Sequence, residues 1–284
     1  MIVITGAAGF IGACFCRKLN DHGMKNIVLV DDFAPKMKLQ NWMNLEYVDK
    51  IHRDHFFQWA ENNVSHIDYI FHLGARTDYF STDYSIFELL NVDFSQRVWS
   101  FATSKRIPLI YASSYLTNHT PSLSPFAKSK YLFDKWIEKQ RQTPPFWASL
   151  KFFQVYGKNE EHKEKNGSYV YQIIKKYSEK ATSICLNYNL TQDYIYVNDV
   201  AKVLYYFLNH APKSGTYEVG TGFARPVQAI VEAVDRTGKG KQTMVLEYQK
   251  EQDFVYEADL KHLRKHAYKQ AFLSLEEGVK RMFQ

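Results

Sequence analysis

Cysteine is scarce in this chain: three in 284 residues, Cys14, Cys16 and Cys185. They form no Cys-x-x-Cys pair and no Cys/His spacing suited to zinc, which excludes a disulfide scaffold and leaves no metal site to expect. Two of them lie in an apolar stretch and read as buried free thiols of a cytoplasmic protein. With only 13 glycines and 8 prolines, and no internal repeat, the chain is neither low-complexity nor disordered. It has no run of about 18 uncharged apolar residues, so no membrane span is predicted. The apolar start MIVITGAAGFIGACFC lacks the basic leader of a signal peptide. Charge is equally unassertive. Lys and Arg total 36 against 30 Asp and Glu, with no basic block interleaved with aromatics, which argues against nucleic acid and suits an anionic ligand.

What the chain does have is apolar mass: 45% hydrophobic residues, including 20 Tyr, 20 Phe and 5 Trp. That is enough for one large α/β domain, or for a nucleotide-binding domain with a smaller lobe.

The first thirty residues read as strand, glycine turn, helix, strand. Residues 1–5 and 26–31 are short β-branched runs, and a helical pattern spans Phe10 to Asp21 with Gly23 suited to its C-terminal cap. The turn holds Gly6, Gly9 and Gly12. Without β-carbons, backbone N–H groups can approach a pyrophosphate at the positive end of the helix, and helix and strand pack closely. Asp31 and Asp32 end the second strand about 20 residues on, where a carboxylate binds an adenosine ribose. Both acids repel a 2′-phosphate, favouring NAD, whereas Lys38 and Arg53 just beyond can neutralise one, permitting NADP. NAD and NADP both stay open on this reading.

The alternation continues with a strand at 67–75, a helical pattern from Asp83 to Lys105, a strand at 107–114 and a helix at 126–141. The predicted fold is α/β: a Rossmann-type doubly wound parallel sheet with a smaller C-terminal α/β substrate lobe. Residues 1–153, completed by about 181–214, are expected to form the dinucleotide domain, and 154–180 with 215–284 the lobe.

Four landmarks in order, the glycine turn, FHLGA, YASS and SPFAKSK, resemble those of extended short-chain dehydrogenase/reductases. Further segments, VYGKNEEHK, DYIYVNDVA, EVGTG and EADLKHLR, resemble bacterial ADP-L-glycero-D-manno-heptose 6-epimerases from Ile2 to about Gly278. This resemblance implies an NAD(P)-dependent epimerase of a nucleotide-diphosphate sugar, serving surface polysaccharide synthesis and assembled as a homo-oligomer. In such enzymes a Ser, a Tyr and a Lys cooperate beside the nicotinamide, and a second acid/base lysine follows a VYG segment. Carried over, Ser114 is the catalytic serine, with Ser113 pointing to the other face of its strand. Lys130 is the motif lysine and Lys163 the second acid/base. Gly6, Gly9, Phe10, Ile11, Gly12, Asp31, Asp32, Lys38, Arg53, Leu73, Gly74, Ala75 and Asn91 are the implied cofactor residues. His162 and Arg225, with Ser114, are the implied substrate contacts.

The tyrosine position holds Phe126. Ser124 and Pro125 make a good N-cap and first helical position, so the register is secure. A phenyl ring exchanges no proton, and the resemblance therefore implies binding with turnover weakened or abolished. A designed Tyr→Phe change and natural divergence both fit. YLTN before the motif and Gln192 in place of an arginine before DYIYV depart from the family pattern too, and favour divergence. Two other readings share the fold: a non-catalytic sensor or scaffold for cofactor or nucleotide sugar, and a nucleotide-sugar dehydratase or reductase.

Overall fold

The computed structural model describes residues 1–78, 80–118, 124–238 and 245–284. The chain divides into two compact units, Met1–Lys151 with Ala201–Tyr217, and Phe152–Val200 with Glu218–Gln284. Its elements run β1 (Ile2–Thr5), α1 (Phe10–Asn20), β2 (Ile27–Asp31), α2 (Leu39–Trp42), β3 (Asp49–His52), α3 (Phe56–Asn62), β4 (Tyr69–His72), α4 (Ser85–Phe87), α5 (Phe94–Ser104), β5 (Leu109–Ser114) and α6 (Pro125–Ile137). There follow β6 (Trp147–Phe152), β7 (Gln154–Tyr156), α7 (Tyr169–Ser178), β8 (Ser183–Tyr196), α8 (Val197–His210), β9 (Gly215–Val219), β10 (Ala224–Pro226), α9 (Gln228–Arg236), β11 (Val245–Tyr256), α10 (Lys261–His266) and α11 (Leu275–Met282).

A seven-stranded sheet in the order β3-β2-β1-β4-β5-β6-β9 forms the first architecture. The strands from β3 to β5 pair in parallel. Strand residues alternate between faces, and both faces are apolar, so both need cover. Val3, Val28, Val30, Ile70 and Leu109 pack with Phe56 of α3, Val98 and Trp99 of α5 and Phe133 of α6. On the opposite face α1 packs Phe15 against Phe71 at 4.5 Å between ring centroids. The chain leaves β1 toward β2 and β3 on one side, and returns to place β4, β5 and β6 on the other. That reversal creates a crevice at the carboxyl ends of β1 and β4.

The predicted helix at 126–141 ends at Ile137. Ile137 is its last buried apolar residue; Glu138 to Arg141 have nothing to bury. The predicted strand at 67–75 ends at His72, because Leu73–Ala75 leave the sheet to meet the glycine turn. The helix predicted from Asp83 is interrupted by a π-helical turn over Glu88–Asp93.

The second unit contains the sheet order β10-β8-β11, with β7 also pairing with β8. Its core gathers Tyr156, Val170, Ile173, Tyr194, Ile230 and Val279. Residues from about 181 to 214 were expected to complete the first domain; 201–214 group with the first unit, and 183–196 do not. They instead form β8, whose neighbours β7, β10 and β11 fix the second unit's sheet. All three cysteines are free, and burial pushes the Cys14 thiol up to about 12. No helix among the described residues is long and apolar enough to cross a membrane, and no cluster of metal-ligating side chains occurs among them.

Candidate functional site

The glycine turn sits in the crevice between β1 and β4. Gly6 has φ +74, and a Cβ there would lie 2.5 Å from the Gly74 Cα. At Gly12 a Cβ would lie 2.1 Å from the Gly6 carbonyl oxygen. The turn is thus pressed against both its own helix and the Leu73–Ala75 loop, a cradle that side chains would fill. Gly9 is the N-cap of α1, which begins with no side-chain cap and no acidic residue in its first turn. The positive end of the helix is left for an anion. Phe10 packs its ring into the core and Ile11 is half-buried, so at these two positions the backbone alone can serve a pyrophosphate.

Asp31 closes β2 and braces the turn. Its Oδ2 accepts the Ala8 amide at 2.9 Å and its Oδ1 the Asp32 amide at 2.7 Å. Lys38 Nζ donates to the same Oδ1 at 3.0 Å. Asp32 lies 3.5 Å from Arg53 Nη2 and 3.7 Å from His52 Nε2. The four charged residues expected at the ribose end are therefore brought together as two acid–base pairs. Asn41, which the sequence did not flag, donates to the Ala8 carbonyl at 3.1 Å. The residues present fit a dinucleotide.

A second group joins β1, β4 and α5. His72 is buried, with Nδ1 2.7 Å from Thr5 Oγ1 and Nε2 2.8 Å from Ser95 Oγ. Burial first, and then the Lys130 charge, push its pKa down to about 3, so it works as a neutral strut. Thr5 also accepts the Gly74 amide at 3.3 Å. Asn91 occupies the π-helical turn, fully buried. It accepts the Arg76 amide at 2.7 Å and donates to the Arg76 carbonyl at 3.0 Å and to Ser129 Oγ at 2.9 Å. Its amide thus clips the loop after β4 to α6, a positioning task the sequence did not show.

The end of β5 and the start of α6 bring the serine and lysine positions together. Ser114 is buried, and its Oγ accepts the Leu116 amide at 3.3 Å. Ser113 points the other way, donating to Asp134 Oδ2 at 2.7 Å, as strand alternation requires. Ser124 caps α6 by accepting the Ala127 amide at 3.3 Å, with Pro125 first in the helix. Phe126 follows with 6% of its surface exposed, and Lys130 lies one turn on with 4%. Lys130 Nζ donates to the Ala112 carbonyl of β5 at 2.8 Å, which holds the ammonium two residues along the strand from Ser114. Burial pushes its pKa down to about 8, while Asp134 opposes the shift.

That shift carries a stability consequence. Lys130 is protonated in the folded and unfolded states at pH 7, and a drop from 10.5 to about 8 costs the fold about 3 kcal/mol there. The cost fades as pH rises from 8 to 10.5, because only the unfolded chain still gains from protonation. Lys130→Met is expected to raise the thermal midpoint at pH 7, with the difference from wild type shrinking above pH 8. Melting curves across that range check it; a lower midpoint at pH 7 refutes it.

In the second unit, Lys163 lies on a 3₁₀ segment, Glu161–Asn166. Burial lowers its pKa and Glu160 opposes that. His162, beside it, is half-buried. Arg225 on β10 pairs with Glu276 Oε1 at 3.1 Å, and stands opposite Gln192 of β8 in the ladder.

A glycine cradle at the switch point, an acid closing the second strand, and a Ser–Lys pair joining β5 to α6 define a dinucleotide-binding α/β fold of the short-chain dehydrogenase type. Residues 2–220 match the NAD dependent epimerase/dehydratase family, and the chain belongs to it. It is 32% identical to ADP-L-glycero-D-manno-heptose-6-epimerase of Fusobacterium nucleatum over 99% of this chain and 96% of that protein. The protein of the same name from Brachyspira hyodysenteriae is 29% identical, over 99% and 96%. Among solved structures, Helicobacter pylori ADP-L-glycero-D-manno-heptose-6-epimerase aligns with a TM-score of 0.83 at 22% identity, over 99% of this chain and 94% of that one. A tyrosine-to-phenylalanine mutant of Bacillus cereus UDP-glucuronic acid 4-epimerase, in complex with UDP-4-deoxy-4-fluoro-glucuronic acid and NAD, aligns at 0.84 with 18% identity, over 99% and 97%. At these identities the structures show the shared fold.

Proposed function

We propose that the chain binds NAD and a nucleotide-diphosphate sugar of the ADP-heptose kind, as an epimerase-type protein whose turnover Phe126 holds far below that of a tyrosine-bearing enzyme. The carrying observation is Lys130: buried, donating to Ala112 at 2.8 Å and pushed down to about 8. A lysine kept there at a stability cost has a ligand to serve, and the ribose of a nicotinamide nucleotide suits it. The dinucleotide, when bound, supplies a hydride acceptor that can return the hydride, so a sugar carbinol is oxidised and re-reduced with no net redox change.

The chain's own residues divide the remaining work. Ser114 takes the Leu116 amide on its oxygen, so its proton is what it offers a sugar oxygen. Lys130 holds positive charge beside the same strand end. Lys163, in the second unit, is the proposed acid/base lysine, and His162 and Arg225 the proposed substrate contacts. Phe126 supports a second reading, a non-catalytic sensor of cofactor or nucleotide sugar, since it keeps the ring volume without the hydroxyl. NAD is favoured over NADP because Lys38 and Arg53 are each engaged by an acid.

Mass spectrometry of protein as purified is expected to find a nicotinamide dinucleotide, and titration with ADP-heptose to show binding. Protein that carries no dinucleotide and takes up neither NAD nor NADP overturns the proposal.

A further inference from the structure

Three consecutive residues of β5 are held by two side chains of α6. Asp134 accepts the Tyr111 hydroxyl on Oδ1 at 3.2 Å and the Ser113 hydroxyl on Oδ2 at 2.7 Å. Between these two residues, the Ala112 carbonyl accepts the Lys130 ammonium at 2.8 Å. Lys130 and Asp134 are four residues apart, so they share one helix face, about 6 Å apart along the axis. Behind Asp134, Lys151 of β6 stands 4.0 Å from Oδ2 and donates to Asn118 Oδ1 at 2.6 Å. Asn118 ends the 3₁₀ turn that follows β5, and Thr117 of that turn donates to the Ser114 carbonyl at 2.9 Å. The carboxylate thus stands where α6, β5 and β6 meet, beside the strand end that carries Ser114.

Burying a carboxylate costs free energy that an apolar side chain would not. Only 12% of the Asp134 side chain is exposed. The same two elements also meet through apolar contact, with Phe133 packed on Tyr111 at 5.2 Å between ring centroids. Such contact resists separation far better than sliding, whereas hydrogen bonds of fixed direction resist both. Packing is also incomplete at this point. A cavity of about 230 Å³ borders Asp134, with Tyr111, Ile137 and Trp147 in its wall, so contacts that would fix the helix are missing on that side. The tolerance is small, because a slip of one residue carries a helix about 1.5 Å along its axis. That is enough to part Lys130 from Ala112.

We propose that Asp134 is the positioning residue of the serine–lysine pair: by gripping Tyr111 and Ser113 it sets where α6 lies along β5, and so where the Lys130 ammonium stands beside Ser114. Its consequence for NAD rests on the reading of Lys130 as the ribose-side lysine; its hold on the helix does not. Two measurements on the full chain separate these. In crystal structures of wild type and Asp134→Leu, α6 is expected to shift along β5 by about 1 Å or more, and Lys130 to lose the Ala112 carbonyl. Asp134→Asn retains one acceptor, is expected to shift the helix less, and serves alone if the leucine variant does not fold. A helix unmoved in the folded variants, with Lys130 still on Ala112, overturns the proposal. The second measurement is NAD affinity by calorimetry in a double-mutant cycle. Asp134→Leu is expected to weaken NAD by about tenfold or more where Lys130 is present, since a hydrogen bond to a charged group is worth that much. In the Lys130→Met background it is expected to change the affinity by about twofold at most. An equal loss in both backgrounds shows that Asp134 acts other than through Lys130, and likewise overturns the proposal. Wild type that takes up neither NAD nor NADP defeats the functional reading, and the two crystal structures alone then decide whether Asp134 sets the helix.

Discussion

Phe126→Tyr is expected to raise the rate of heptose epimerisation by about 10²–10⁴-fold, the range that a positioned general acid–base contributes. That corresponds to roughly 3–5 kcal/mol of barrier. The site around the substitution is already assembled: Ser124 caps the helix, Pro125 sets its first turn, and Lys130 stands one turn away on the same face. The phenyl ring is 6% exposed, so a hydroxyl enters a position already shaped for a six-membered ring. The positive charge of Lys130, one turn away, would favour the ionised form of that hydroxyl, while burial opposes it. NAD affinity is expected to change little, because none of the cradle residues moves. Chromatographic separation of the two ADP-heptose epimers over time gives the rates. Unchanged turnover with intact NAD binding favours the sensor reading. Net loss of NAD, or of water from the sugar, favours a reductase or dehydratase instead.

The parts of the fold that were legible in the sequence are those set by local patterns. The glycine spacing, the strand-end acids and the Ser-Pro helix start each rest on backbone conformation or capping, which a few neighbouring residues determine. Ser113 and Ser114 were separable for the same reason, since alternation along a strand is strict. Asn91 and His72 were not legible as struts. Their partners, Arg76 and Ser129 for one and Thr5 and Ser95 for the other, are distant in sequence and meet only once the sheet has formed. Nor did the helical pattern from Asp83 reveal the π turn that aims Asn91 inward, because its apolar spacing averages over the irregularity. Within the 181–214 stretch, residues 183–196 were not assignable from sequence, because the strand they form is placed by its partners β7, β10 and β11.

Gly12→Ala is the second large effect. In an ordinary helix interior alanine is favoured over glycine by about 1 kcal/mol, so propensity alone forecasts a stabilised protein. Packing forecasts the reverse. The new methyl would sit 2.1 Å from the Gly6 carbonyl oxygen and 3.0 Å from the Ala7 Cα. Both are backbone, with no rotamer to yield, so α1 must move away from the turn that presents its amides. Overpacking of this kind costs about 1–3 kcal/mol, which outweighs the propensity gain. The larger loss falls on the ligand, because the helix start and the turn must hold one geometry to meet a pyrophosphate. Gly12→Ala is therefore expected to lower the thermal midpoint and to abolish retention of NAD through purification. Gly9→Ala makes the graded control, since its methyl would stand 3.1 Å from the same oxygen, a contact relieved by a few tenths of an ångström. It is expected to keep most of the stability and part of the NAD. Equal behaviour of the two variants, or full NAD retention by Gly12→Ala, would show that close helix–turn contact is not what holds the dinucleotide.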